Sequence, residues 1–323
     1  MINVNNIGNS SHSGPRNRLG VNAIDVDIVP YHHEFPRIVL NSKEIEYASK
    51  AGMPIINSPF QFVKQIRKFS EIRNYTTRTE TTNQYRSLLT KMNGVGDFYL
   101  QFPQRFSPTD RDRTLIHEIQ KNAGSTILTD YELDRYQTAR EFEQQILELK
   151  RQNPNYDISP TIDIRIEDEN LFGEKVAVVL KNGFKRFNVI YGSIPENFAN
   201  WIDLTSKIYT KNIWCNVVNV LPRWQRKTRI SKISRIFFFG VHTVSLGLAW
   251  SGVPNAPTHT FDPRTHRFVL MTSGMTYVEG RAEAVVQQAR ENTIARRHII
   301  NGTYFTNYVM TRSGLRDSLI SIA

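Results

Sequence analysis

The sequence predicts an α/β fold, a (β/α)8 TIM-like barrel with a C-terminal helical extension, on three observations. Short apolar runs recur along the 323-residue chain with amphipathic stretches between them, the rhythm of βαβ units and a parallel sheet. Several of the amphipathic stretches are closed by a glycine: Gly52, Gly124, Gly183 and Gly240, the residue that stops a helix without steric cost. Eight apolar runs lie between Arg37 and Leu246, enough to close a barrel, and no Gly-rich phosphate fingerprint follows any of them. That last point weighs against the alternative, an open doubly wound sheet.

The elements follow in order. Residues 1–20 are rich in Asn, Ser, Gly and Arg and are expected to form a mobile basic tail. The barrel is expected over 21–250 and the extension over 251–323. Arg37 to Leu40 reads as a strand, Ser42 as the N-cap of a helix through Ala51, and Pro54 to Asn57 as a second strand. Phe62, Ile66 and Phe69 recur at helical spacing, and the Thr-rich stretch Asn74 to Gln84 reads as a loop or lid. Further strands are expected at Asp97 to Phe102, Thr126 to Asp130, Thr161 to Ile166, Phe187 to Tyr191, Ile213 to Leu221 and Val241 to Leu246. Helices should fill the intervals, among them Asp110 to Ala123, Thr138 to Arg151 and Leu171 to Asn182. The extension reads as a strand pair around Arg267 to Val278 and two helical stretches, Ala282 to Arg297 and Tyr304 to Leu319.

Composition excludes several classes. Hydrophobic residues at 40% and charged residues at 22% are those of a folded chain. No apolar run of about 18 residues exists to span a membrane, and the N-terminal stretch lacks the apolar core of a secretory signal. The single cysteine, Cys215, rules out an internal disulfide and a multi-cysteine zinc site, so a cytoplasmic location is expected. Forty-one Lys and Arg against 30 Asp and Glu leave a formal charge of +11. Such a surplus favours a phosphate-rich partner, with DNA preferred over RNA; a merely solvated basic surface is the alternative. No cofactor and no metal are expected. His32, His33 and Glu34, and His259, Asp262 and His266, lack the spacing that sets ligands on one helical face, and read as surface-loop residues.

Strand alternation predicts an unusually polar interior. Ile162, Ile164 and Ile166 share one face, which leaves Thr161, Asp163, Arg165 and Glu167 for the other. Phe98, Leu100 and Phe102 likewise set Asp97, Tyr99 and Gln101 inward. The C-terminal strand ends, where barrel enzymes carry their chemistry, place Asn57, Gln101, Asp130, Glu132, Glu167, Tyr191, Asn219 and Ser245 together. Asp130 and Glu132, two apart, are the candidate acid–base pair, with Asp97 in reserve; structural pairing and helix capping are the competing roles. Asp130→Asn is expected to leave folding intact. Arg223, Arg226, Lys227 and Arg229 open a basic helix whose N-terminus should rim the mouth and hold phosphates. Arg296 and Arg297 make a second basic patch, and Trp250 or Tyr191 could stack on a base.

Four stretches carry a family resemblance: PRIVLNSKEIEYASKAGMPIINSPF, IHEIQKNAGSTILTDYELDRY, FGEKVAVVLKNGFKRFNVIYGSI and FFFGVHTVSLGLAW. Their order resembles the tRNA-guanine transglycosylase superfamily, including a DNA-acting branch and related base-excising DNA glycosylases. The resemblance implies a barrel acting on an N-glycosidic bond, with Asp130 at the position of a family aspartate and Ser245 where the family's nucleophilic aspartate stands. The family's three-Cys, one-His zinc site is missing. With no carboxylate at 245 to hold the sugar covalently, the resemblance implies hydrolysis rather than base exchange. The target would be a modified base, such as those of phage DNA, flipped from the duplex. Arg165, Glu167, Gln101 and Asn219 would line the base pocket. A non-catalytic nucleic-acid-binding barrel, a subunit of a base-modification complex, and an unrelated barrel enzyme for a phosphorylated small molecule are the alternatives.

Overall fold

The computed structural model describes residues 1–13, 18–28, 30–42, 45–46, 49, 60–92, 96–101, 108–131, 137–163, 169–190, 208, 211–220, 237–238, 240–246, 259–270 and 277–322. The chain opens with three strands, β1 (Ile2–Ser13), β2 (Arg18–Ile28) and β3 (Tyr31–Phe35), paired antiparallel in the order β1-β2-β3. The expected tail is therefore a sheet edge. Ile24, Val26 and Ile28 alternate with Asp25 and Asp27, so one face of β2 is apolar, and a polar β1 gains its backbone partners from it.

Next come β4 (Arg37–Asn41) and β5 (Phe60–Gln65), the short helix α1 (Ser70–Arg73), α2 (Tyr75–Met92) and β6 (Gly96–Gln101). The Thr-rich stretch expected as a loop is helical: Thr81 and Thr82 donate their buried hydroxyls to the carbonyls of Thr77 and Arg78, so neither is left unpaired. The stretch through Phe62, expected as a helix, is strand β5, and Phe60 and Phe62 face α2 from alternate positions. The expected strand at 54–57 lies outside the described residues.

The chain continues through α3 (Asp110–Ala123), β7 (Ile127–Thr129), α4 (Ala139–Gln152), β8 (Asp157–Ser159), β9 (Thr161–Asp163), α5 (Glu169–Lys181), β10 (Arg186–Ile190), β11 (Trp214–Val220) and β12 (Thr243–Leu246). Helices α3 and α4 begin in reciprocal capping boxes, Thr109 with Asp112 and Thr138 with Glu141. Gly124, at φ 92°, ends α3 in the left-handed conformation that glycine adopts freely. The last elements are the antiparallel pair β13 (His259–Asp262) and β14 (Arg267–Leu270), α6 (Tyr277–Ile300), a π-helical segment at Tyr304–Val309, and α7 (Ser313–Ile322).

The closed eight-stranded barrel is not formed. Among the described residues a seven-stranded parallel sheet runs in the order β6-β5-β4-β12-β11-β10-β9, and β7 pairs with β8 as a separate parallel ribbon. The protein is α/β, with an open half-barrel. Two local facts explain the opening. Pro160, which has no N–H to donate, separates β8 from β9, the strand expected from Thr161. β7 is three residues long, and side chains replace a backbone ladder between it and β6. Thr129 Oγ1 donates to Asp97 Oδ1 at 3.2 Å and the Tyr131 hydroxyl to the Phe98 carbonyl at 2.6 Å.

Three apolar clusters hold the layers. β5 and β6 pack Phe60, Phe62 and Phe98 on Tyr85, Ile116 and Ile119 of α2 and α3. The other strands pack Leu128, Ile162, Phe187, Val189, Val217 and Val244 on α4, α5 and the C-terminal helices. The third cluster joins Ile2, Val4, Ile24, Val26 and Ile28 to Phe35, Ile127 and Trp214. Because Ile127 and Trp214 open β7 and β11, the antiparallel sheet covers the N-terminal ends of the parallel strands. Gly8 allows the close crossing of β1 and α6: a Cβ there would meet the Ile300 backbone at 2.5 Å.

Candidate functional site: a buried polar interior

Opposite the apolar faces, the parallel strands turn polar residues inward. Thr129, Ser159, Thr161, Asn188, Asn216, Thr243, Ser245, Asn41, Gln61, Asp97 and Arg186 are all buried. In-register pairs place many of them side by side: Asn188 with Thr161 and Asn216, Asn216 with Thr243, and Gln61 with Asn41 and Asp97. The polar interior expected from alternation is thus a feature of the fold, although its members come from more strands than the spacing indicated.

Asp97 is its centre. Arg186 donates to both carboxylate oxygens, Thr129 to Oδ1, and Asn216 Nδ2 to Oδ2 at 3.3 Å. Asn216 also donates to Asn188 Oδ1 at 2.9 Å, and its own Oδ1 accepts from the Thr243 and Ser245 hydroxyls. Asn188 Nδ2 reaches Ser159 Oγ at 3.1 Å. Below this layer the Arg186 guanidinium lies 3.8 Å from the centroid of the Trp214 ring, and Trp214 Nε1 donates to Thr243 Oγ1. A buried charge pair of this kind holds only when its remaining donors and acceptors are also met; here the asparagines and hydroxyls meet most of them. Asp97 is therefore a fixed anchor with its lone pairs in use.

Gln61 is less well met. It is fully buried on β5, yet neither carboxamide atom has a hydrogen-bond partner among the described residues. An unmet buried amide costs about 1–3 kcal/mol. The Thr161 hydroxyl and Arg186 Nε, from the same interior, are also unpartnered. One step toward the C-terminal strand ends, Val63 and Tyr99 are in register, and they cluster with Tyr131, Ile190 and Val218. An apolar collar thus lies above a polar floor, the combination that suits a planar polar ligand.

Asp130 does not join this interior. It is buried on the helical side, where Arg113 donates from Nε and Nη2 at 3.0 and 2.6 Å, Gln145 donates at 2.9 Å and His117 Nε2 lies 3.1 Å away. Burial alone would raise its pKa; the Arg113 guanidinium and the His117 ring outweigh this and hold the carboxyl well below the usual carboxylate range. Such a group fastens β7 to α3 and α4. The strand-end position read from the sequence is correct, but Asp130 turns outward because Arg113 and His117, four apart on α3, present their side chains to it.

The second basic patch also divides. Arg296 is buried and donates to the carbonyls of Ile24 and Phe35 and to Asp25, tying α6 to the N-terminal sheet, whereas Arg297 is exposed. Ser245 lies in the interior, as above. Glu132, Arg165, Glu167, Tyr191, Arg223, Arg226, Lys227, Arg229 and Trp250 lie outside the described residues, and Gln101 and Asn219 are described only as backbone positions, the last residue of β6 and the next to last of β11.

Of the histidines expected in surface loops, His32 and His33 lie on β3 and His259 on β13, whereas His266 is in the turn between β13 and β14. His33 is buried on β3, and His266 is buried beside Tyr308 and Glu291. Asp25, His32 and Glu34 could bring ligand atoms within 4.8 Å of one another. Arg296, however, already supplies Asp25 with a cation, and His32 Nδ1 is bonded to Asp27 at 2.6 Å, so this donor set does not favour a metal.

Exposed charge gathers where β5 ends. Arg67 and Lys68 follow the strand with no ion-pair partner among the described residues, because Glu71 is engaged with their backbone N–H groups. Arg78 stacks over the exposed Tyr75 ring at 5.7 Å. Reading Phe62 to Phe69 as helix and 74–84 as loop hid this patch. Among the described residues, no helix is long and apolar enough to cross a membrane. No protein-family model and no curated protein matches the chain.

Proposed function

We propose that the chain is a DNA-directed N-glycosidic enzyme, a base-excising glycosylase that admits a flipped base into the polar interior from the C-terminal side of the sheet. The observation that carries this reading is the polar floor around Asp97, Asn188, Asn216 and Gln61 beneath an apolar collar. Carboxamides read the donor and acceptor edges of bases, and the collar suits a flat ring. The charge of +11 and the exposed Arg67 and Lys68 supply attraction for phosphate. The resemblance of four stretches to the tRNA-guanine transglycosylase superfamily agrees with the same chemistry. Since Asp97 and Asp130 are both held in ion pairs, the carboxylate that steadies the sugar cation and orients water is assigned to Glu132. A cytoplasmic enzyme acting on modified, phage-type DNA is the setting this reading favours.

The test is to incubate the full chain with plain and modified duplex DNA and score abasic sites. Glu132→Gln should lower the rate by about a hundredfold or more, as loss of one transition-state charge contact does, while the melting temperature is retained. A second reading, a non-catalytic nucleic-acid-binding protein or a subunit of a base-modification complex, is favoured by the saturation of both aspartates. Tight DNA binding without abasic sites on any modified DNA would establish it instead.

A further inference from the structure

We infer that the outer edge of β1 is a self-association surface: a second copy of this chain adds its own β1 antiparallel to it, about a twofold axis at Ile7. β1 is 12 residues long, pairs only with β2 and stands at the edge of its sheet. No backbone group of β1 bonds outside that pairing among the described residues. A row of open N–H and C=O groups is a template for another strand, and monomeric proteins guard it with charge, proline, shortness or a cover. The other strand edges carry such guards. β3 is five residues long, bears His32 and Glu34, and gives its Phe35 carbonyl to Arg296. β9 is three residues long, β13 and β14 are four each, and β6 is tied to β7 by Thr129 and Tyr131. β1, by contrast, has no Lys, Arg, Asp, Glu or Pro from Ile2 to Ser13, in a chain with 41 basic and 30 acidic residues.

Charge and pattern select the occupant. Two copies at +11 each repel one another, and an uncharged edge is where they can meet at least cost. The bulge between Asn6 and Gly8 leaves Ile7 without a partner on β2 and 43% exposed, near the middle of the strand. Asn3, Asn5, Asn9 and Ser11 share its exposed face. An antiparallel pair centred on Ile7 sets it against the partner's Ile7, Asn5 against the partner's Asn9, and Asn3 against the partner's Ser11. The isoleucines then cover each other, amides and hydroxyls can bond across the strands, and no like charges oppose. A bulge on its own edge would blunt pairing with a regular strand. On a twofold axis it meets its own copy, so both strands bend alike. The inner face of β1 is already filled by Ile2, Val4 and the crossing of Gly8 with Ile300. Since this sheet covers the N-terminal ends of the parallel strands, the dimer leaves their C-terminal ends open.

The mass of the full chain in solution, read by sedimentation across protein concentration, tests this. The wild type should be dimeric in the micromolar range and fall to monomer on dilution, because one strand pair makes a small interface. Ile7→Lys and Ile7→Glu each set like charges opposite one another on the axis. Each alone should weaken the dimer by about tenfold or more, with the melting temperature unchanged. An equal mixture of the two variants should regain it, since Lys then faces Glu. Rescue by mixing separates the interface from a folding defect, because two misfolded chains would not restore each other. A wild type that is monomeric at every concentration overturns the inference. So does a dimer indifferent to both substitutions, or a pair of weakened variants that mixing fails to restore. Glycosylase activity bears on none of these outcomes.

Discussion

At the scale of single residues, the two aspartates best placed by the sequence are structural anchors, and each has a measurable cost of removal. Asp130 is buried between Arg113, His117 and Gln145. Asp130→Asn keeps the shape and removes the charge, so Arg113 loses its buried ionic partner and keeps only the exposed Asp110, 3.8 Å away. Breaking a buried pair from one side costs about 3 kcal/mol or more, and the variant should show a lower urea midpoint with an unchanged slope. This reverses the expectation that folding would be indifferent to the substitution. A midpoint equal to wild type would return Asp130 to the list of catalytic candidates. The sequence showed that an acidic residue ends this strand. It could not show that two α3 side chains reach it, because that depends on how the helix packs.

At the scale of elements, legibility followed the strength of the period. Asp110 to Ala123 and the strand from Asp97 were readable because capping signals and alternation agree there. β1 was not readable: its Asn- and Ser-rich sequence has no propensity of its own, and it is a strand because β2 offers it a ladder. β5 was misread because Phe62, Ile66 and Phe69 fit a helical spacing, while the true signal was the alternation of Phe60 and Phe62. Besides the apolar cluster, a buried histidine joins the N-terminal sheet to the parallel sheet. His242 Nδ1 accepts from the Cys215 N–H at 3.0 Å, which leaves Nε2 as the donor to Asn22 Oδ1 at 2.8 Å. Burial pushes its pKa down to about 3. Its folded-state pKa is below the unfolded value near 6.5, so below that pH the unfolded chain takes a proton that the native chain refuses. The stability contributed by neutral His242 is therefore present above about pH 6.5 and is lost as pH falls toward about 3, by about 1.4 kcal/mol per unit. Glu291, held down to about 2 against burial by His266 and Arg312, adds acid sensitivity only below the ordinary carboxylate range. Chemical denaturation of wild type and His242→Gln at pH 7 and pH 5 should give a stability difference that shrinks on acidification. A difference independent of pH would remove His242 as the source.

At the scale of the whole molecule, the two ends of the parallel strands are unequal. The N-terminal ends are covered by the antiparallel sheet, with Ile127 and Trp214 buried against its Phe35 and Arg296 of α6 pinning the cover. The C-terminal ends are therefore the side from which a base would enter under the proposed function. Arg67 and Lys68 lie just past the end of β5 on that side, exposed and without ion-pair partners among the described residues. Arg297 is also exposed, but it adjoins Arg296, whose bonds go to the covered end. Net charge alone would make these three cations equivalent, since each adds the same long-range attraction. Contact with phosphate would not, since only a paired cation releases a counterion. For DNA binding measured across salt concentrations, the double substitution Arg67→Glu and Lys68→Glu should flatten the slope of log affinity against log salt by about two counterions. Arg297→Glu should weaken binding a little and leave the slope nearly unchanged. Equal effects from the two ends would mean that the nucleic acid sees only the overall charge, and that the C-terminal side is not where it docks.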